Sequence, residues 1–290
     1  MNKMGCVLES MVGRLWFGEQ EGGDLVQEKQ VKELVKLGFN YYSSGKDKEA
    51  IDYFKQALKV SERADIYNNL GMVYLRKGDY SKAVNTYRKA LSVDKGYIPA
   101  YYNLGITLYY ARNYDDAIKI FSDVLKIKGL DVSLLAHANN EKGCAQNRKD
   151  DIEAAKKSFE AALVLNDKFI MPYVNLGNIY CNKGEFDTAK AQYNKAIELD
   201  DKCAAAYNGL GVIAIEDGDF KKAEELFDKA LVLDNRCEAA YINKVLLKRK
   251  LEAKAQIASA LRDEPSGSPQ DDRGKAEEAK KAEDKKEEKK

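Results

Sequence analysis

Apolar positions recur along this chain at helical spacing, in short blocks separated by polar turns. The clearest block is YVNLGNIY, from Tyr173 to Tyr180, in which Tyr173, Leu176, Gly177 and Tyr180 fall at i, i+3, i+4 and i+7 on one helix face. Gly184 then ends the predicted helix, and Asp187 is placed as the N-cap of a second one. In that second helix Ala189, Tyr193, Ala196 and Ile197 again share a face. The same block returns as YNNLGMVY (Tyr67–Tyr74), YYNLGITL (Tyr101–Leu108) and YNGLGVIA (Tyr207–Ala214), with degenerate copies around Gly38 and Gly143. The central glycines lie 34 residues apart from Gly71 to Gly105, from Gly143 to Gly177 and from Gly177 to Gly211. The step is 33 from Gly38 to Gly71 and 38 from Gly105 to Gly143. A fixed period of this length predicts stacked two-helix units and an all-α fold.

Glycine inside a helix costs about 1 kcal/mol relative to alanine, so its return in every unit needs a physical reason. The expected reason is close approach of the two helices of a unit. On that reading each glycine faces the small residue of the second helix: Ala50, Ala83, Ala117, Ala155, Ala189 or Ala223. The aromatics Phe54, Tyr87, Phe121, Phe159, Tyr193 and Phe227 are then expected to fill the wider space between units.

This large–Leu–Gly–aromatic pattern, with the alanine and aromatic of the second helix and a following alanine (Ala57, Ala90, Ala162, Ala196, Ala230), resembles the tetratricopeptide repeat family over about residues 31–235. The resemblance implies a right-handed superhelical solenoid of about six helix-turn-helix repeats. The departures sit in the third and fourth units. Val124 replaces the last small residue of the third, and Lys142 and Gln146 take apolar positions of the fourth, which follows a longer loop. Looser packing over Gly129 to Lys142, with flexing between two three-repeat blocks, is expected there.

The organisation read from the chain is an N-terminal extension over 1–30, six units at 31–63, 64–97, 98–135, 136–169, 170–203 and 204–237, a capping helix over 238–261 and a charged, disordered tail over 262–290. An open stack needs a polar-faced terminal helix over its last apolar surface. The tail is mostly Lys, Glu, Asp and Ala, broken by Pro265-Ser-Gly-Ser-Pro269 at its start and without a large apolar residue, which cannot offset the entropy of ordering. Within 1–30 the segment Val7 to Phe17 reads as an amphipathic helix. It either packs on the first repeat or docks on a partner or membrane surface. Glu9 and Arg14 interrupt it, which argues against a secretory signal.

Composition narrows the function. The 290 residues are 44% hydrophobic and 33% charged with a net charge of +1, so there is no bulk attraction to nucleic acid or membrane. No apolar run is long enough to span a bilayer. One histidine, His137, leaves little material for His-based catalysis or zinc binding. The five cysteines, Cys6, Cys144, Cys181, Cys203 and Cys237, contain no CxxC pair and fit reduced thiols in a cytoplasmic setting. No cofactor, metal or catalytic set is expected.

The resemblance places recognition on the first helix of each unit, along the inner face. It assigns Asn69, Asn103 and Asn175, each two residues before a central glycine, to a row of carboxamides that hold a peptide backbone. A carboxamide suits that task because it both donates and accepts. Glu141 and Gly209 break the row, Lys36 starts it, and Asn68 and Asn208 are secondary candidates one position earlier. The same face adds Phe39, Tyr42, Met72, Arg76, Tyr102, Tyr109, Tyr110, Arg148 and Asn178. A carboxylate clamp of the kind some members use is excluded, since Val35, Phe39, Pro99 and Asn103 stand where its other basic and amide residues belong. The leading expectation is a non-catalytic scaffold that binds a segment of another protein. The alternatives are an assembly subunit working through its convex face or ends, and an exported envelope protein.

Overall fold

Each unit closes its first helix with a left-handed residue seven positions after the central glycine. The computed structural model describes residues 25–263, and places Gly45, Gly78, Gly184 and Gly218 there at φ between +73° and +79°. In the third and fourth units that position is taken by Arg112 (φ +60°) and Asp150 (φ +64°). The return bond is the same in form: Lys46 N–H donates to Tyr41 C=O at 2.9 Å, and Asp79 N–H to Tyr74 C=O at 2.9 Å. The expected helix over Val7 to Phe17 and the charged tail after residue 263 lie outside the described residues.

The described residues form thirteen helices and no strand: α1 Leu25–Ser43, α2 Asp47–Val60, α3 Ala64–Arg76, α4 Tyr80–Val93, α5 Ile98–Tyr110, α6 Tyr114–Val124, α7 Val132–Arg148, α8 Ile152–Leu165, α9 Ile170–Asn182, α10 Phe186–Leu199, α11 Ala204–Glu216, α12 Phe220–Leu233 and α13 Glu238–Asp263. They divide into two compact units with the boundary inside α11, between Gly209 and Leu210. α1 starts at Leu25, upstream of the expected start of the first repeat. Glu185 rather than Asp187 stands at the N-cap position of α10, without a side-chain capping bond, and Asp187 lies in the first turn, where a negative charge meets the positive end of the helix dipole.

Within the first unit the helices stack as antiparallel pairs, each second helix packing next on the first helix of the following pair. The small residues of the second helices are sealed: Ala50, Ala83, Ala117, Ala155 and Ala189 are all 0% exposed. The recurring glycine has a different partner from the one expected. A Cβ built on Gly71 would stand 2.6 Å from the Tyr87 ring, on Gly105 2.7 Å from Phe121, and on Gly177 2.6 Å from Tyr193. The aromatic of the second helix therefore lies flat on the glycine of its own unit. It is this ring, buried in every pair, that a side chain on the first helix would displace.

One apolar cluster runs from Ala64 on α3 to Ala145 on α7, and Leu130 of the longer loop packs against it. Leu130 thus ties the loop to the core, while Lys128, Gly129, Asp131 and Val132 beside it are exposed. Val124 is fully buried, and Gln146 is answered by the Ser158 hydroxyl, which donates to its Oε1 at 2.6 Å. In the second unit Gly211 meets Phe227 as its counterparts do, and α13 covers α12 through Leu247 and Leu251. α13 also leaves Tyr241, Leu246 and Ile257 more than half exposed.

Candidate functional site

In the first unit α3, α5, α7 and α9 lie side by side, and the residues two and three before each central glycine meet across these helices. Asn103 on α5 donates from Nδ2 to Asn68 Oδ1 on α3 at 2.8 Å. Asn175 on α9 donates from Nδ2 to Asn140 Oδ1 on α7 at 3.0 Å. Both pairs are 35 residues apart, one repeat plus one residue, so the register is a property of the stack. By the same register the residue on α1 that answers Asn69 is Val35, which has no polar group. Asn69 is 2% exposed, and neither its Nδ2 nor its Oδ1 has a hydrogen-bond partner.

The expected row of free carboxamides is therefore corrected at two of its three positions. Asn69 and Asn103 are buried rather than offered to solvent, and Asn103 and Asn175 spend an amide N–H on the neighbouring helix. Only Asn175 keeps partial exposure. The physical reason is distance. First helices close enough to share an apolar core bring short polar side chains at facing positions into hydrogen-bond range of each other.

Other expected residues also have structural partners. Arg76 donates from Nη1 to Tyr42 C=O at 2.6 Å, pairs with Asp47, and sits 3.6 Å over the Tyr42 ring, tying α3 to the first pair. Phe39 packs edge-on against Tyr42 and Phe54. Met72 accepts a weak contact from Asn68 Nδ2 at 3.7 Å. Asn178 is exposed and accepts from the Tyr193 hydroxyl at 2.7 Å. Lys36 is exposed on α1, and Asn208 is half-buried on α11.

The structure brings the remaining expected residues together around a group that the row was thought to break on. Glu141, on α7, is 5% exposed, and its Oε1 accepts from Asn140 Nδ2 at 3.1 Å. Burial pushes its carboxyl up to about 7, and the Asn140 bond only partly offsets that. Its charge reaches Tyr102, Tyr109 and Tyr110 on α5, whose phenols are raised chiefly by burial and further by the carboxylate. Arg148 donates from Nε to the Tyr109 hydroxyl at 3.1 Å. Cys144 lies in the same cluster, 3.5 Å from Asn175 Nδ2, and burial holds its thiol well above the ordinary range. Beside Arg148, a cleft of about 490 Å³ opens between α7, α8 and α9, lined by Asn147, Ile152, Ile179 and Lys183 among others.

Asn140 and Cys144 were missed in the sequence. The signal for Asn140 was present, since it and Asn68 both stand three before a central glycine. His137, the lone histidine, packs edge-on against Phe169 at 4.4 Å, and burial lowers its pKa.

Comparison with known proteins gives the same architecture. The chain is 24% identical over 186 residues to human Protein O-mannosyl-transferase TMTC1, covering 52% of this chain and 21% of that protein. It is 28% identical over 144 residues to Small glutamine-rich tetratricopeptide repeat-containing protein 2 of Saccharomyces cerevisiae, covering 49% of this chain and 38% of that one. The matched segments thus span well under half the length of both relatives. Among solved structures, PilF of Pseudomonas aeruginosa superposes with a TM-score of 0.61 at 18% identity, over 76% of this chain and 98% of that one. MamA of Desulfovibrio magneticus RS-1 superposes with a TM-score of 0.53 at 22% identity, over 60% and 97%. These two likenesses are of fold. No helix among the described residues is long and apolar enough to cross a membrane. Sequence profiles described as Tetratricopeptide repeat match residues 34–96, 62–129, 136–169 and 174–236, and the chain belongs to the tetratricopeptide repeat family.

Proposed function

We propose that this protein is a non-catalytic interaction scaffold that receives a segment of a partner protein on the face formed by α3, α5, α7 and α9. The observation that carries the reading is the group of tyrosines on α5. Tyr102 and Tyr109 are half-buried and Tyr110 is 46% exposed, and Tyr109 accepts from Arg148, which lines the cleft between α7, α8 and α9. Large amphipathic side chains held by packing at one edge and open at the other are the usual anchors of protein interfaces. The asparagines serve this face from beneath: Asn68, Asn103, Asn140 and Asn175 fix the spacing of the helices, and Asn175 is the one within reach of a bound backbone.

The test is affinity capture from cell extract by the intact chain and by a Tyr102→Ser, Tyr110→Ser variant of unchanged helicity. The reading predicts that specific partners drop out of the variant sample. Partners retained in full by a folded variant would refute it. A second reading, an assembly subunit working through its end, is favoured by the exposed Tyr241, Leu246 and Ile257 of α13. It predicts the converse, with capture lost on Tyr241→Ser, Leu246→Ser and kept on the α5 variant.

A further inference from the structure

Glu141 is a buried acid without a cation. Among the described residues no lysine or arginine lies within ion-pair distance of it, and its single polar partner is the neutral amide of Asn140. Leaving a charged carboxylate in such a place is costly unless it is paired. Arg148, on the same helix, donates to Tyr109 instead. The second carboxylate oxygen, Oε2, accepts no hydrogen bond from the described residues. The carboxylate therefore has one oxygen held by Asn140 and one without a hydrogen bond, in a side chain that is 5% exposed. The charge of Glu141 reaches Tyr102 and Tyr110 on α5, of which Tyr110 is 46% exposed, and phenol rings attract a cation over their faces.

We propose that Glu141 is the docking point for a basic side chain, lysine or arginine, of the partner segment, with Tyr102 and Tyr110 as its aromatic walls. This rests on the reading of the α3–α9 face as the recognition face. The alternatives fit less well. A carboxylate repels an acidic or phosphorylated segment. A hard divalent cation needs six or more oxygen ligands, and no group of three acidic, histidine or cysteine side chains gathers among the described residues. A long basic side chain meets both demands: its stem packs on the tyrosines and its charged head reaches a recessed oxygen. Charge-assisted bonds of this kind are about twice as strong as neutral ones.

The test titrates the whole chain with N-acetyl-arginine methylamide and with the uncharged citrulline analogue at matched ionic strength, observed by NMR at the Glu141 carboxyl and the Tyr102 and Tyr110 rings. The proposal expects saturable shifts at these three residues with the arginine probe, and binding of the citrulline probe weaker by about tenfold or more. It also expects the Glu141 carboxyl to titrate at lower pH when the arginine probe is bound. Glu141→Gln keeps the hydrogen bond from Asn140 and removes the charge, so it is expected to fold and to lose the preference for arginine. Absence of shifts, equal binding of the two probes, or an unchanged preference in Glu141→Gln would each overturn it. Capture lost in the Tyr102→Ser, Tyr110→Ser variant would then leave the recognition face standing without its basic anchor. Capture retained there would remove the face itself.

Discussion

Alanine at position 177 gives a sign change that the glycine–aromatic contact requires. By intrinsic propensity Gly177→Ala stabilises a helix interior by about 1 kcal/mol. Here the added methyl would fall 2.6 Å from a Tyr193 ring carbon, with two more ring carbons at 2.8 and 2.9 Å. That is about 1 Å inside ordinary carbon contact, and overpacking of this kind costs about 1–3 kcal/mol. The ring cannot slide away cheaply. Tyr193 is 1% exposed, and its hydroxyl donates to Asn178 at 2.7 Å, a bond worth about 1 kcal/mol. The net expectation for Gly177→Ala is a loss of up to about 2 kcal/mol. In a Tyr193→Ala background the obstructing ring is gone, and the same substitution is expected to gain about 1 kcal/mol. The assay is urea unfolding of the four proteins of the cycle, followed by circular dichroism. Hydrogen exchange on α9 and α10 confirms that the effect is local, as nearest-neighbour stacking demands. An effect of the same sign in both backgrounds would refute the contact as the reason for the glycine.

The other predictions follow from the polar face. Glu141 rises from an ordinary 4.5 to about 7 on folding, so the native state binds the extra proton between those values. Its stability contribution is therefore complete below pH 4.5 and is lost as pH rises through 7, by about 3 kcal/mol at roughly 1.4 kcal/mol per pH unit. The groups that its charge reaches do not titrate in that window, and His137, four residues earlier on α7 and lowered by burial, is common to the wild type and Glu141→Gln. Tyr102, Tyr109 and Tyr110 from α5 and Cys144 from α7 are all raised, Arg148 stays charged, and α9 contributes the neutral Asn175. Urea unfolding at pH 5 and pH 8 should show the difference in the wild type and not in Glu141→Gln. Asn140→Ala strips donors or acceptors from both Asn175 and Glu141 and should cost about 2–4 kcal/mol; it should also move the Glu141 carboxyl still higher, as read by NMR titration. Asn69→Leu replaces a buried amide with no partner by an apolar side chain beside Val35, and should stabilise the chain by about 1–2 kcal/mol in thermal or urea unfolding; a destabilised variant would show that the amide has a partner.

The pairing of helices was legible in the sequence because it is periodic. One glycine, one alanine and one aromatic per unit recur at fixed offsets, and each has the same surroundings in every copy. Which residue the glycine answers was not legible. Ala189 and Tyr193 stand one turn apart on the same face of α10, and only the packing shows that the ring lies over Gly177 while the alanine seals the crossing beside it. The asparagines carry a similar lesson. Their position pointed to one face, but whether that face offers carboxamides to solvent depends on the separation of successive first helices, which no single repeat encodes. Glu141 read as a gap in the row because an isolated acid has no repeat to explain it. It is the residue that differs from its counterparts, and only the structure shows that it is buried and bonded to Asn140.

The account stands on the α3–α9 face as the place of recognition. The measurement that tests it most directly is photo-cross-linking in cells, with a benzoyl-phenylalanine placed at position 110 on α5 and, in a separate protein, at the exposed position 164 on α8. The account predicts a discrete protein adduct from position 110, reduced by Glu141→Gln, and none from position 164. Adducts from position 164 with none from position 110 would contradict it.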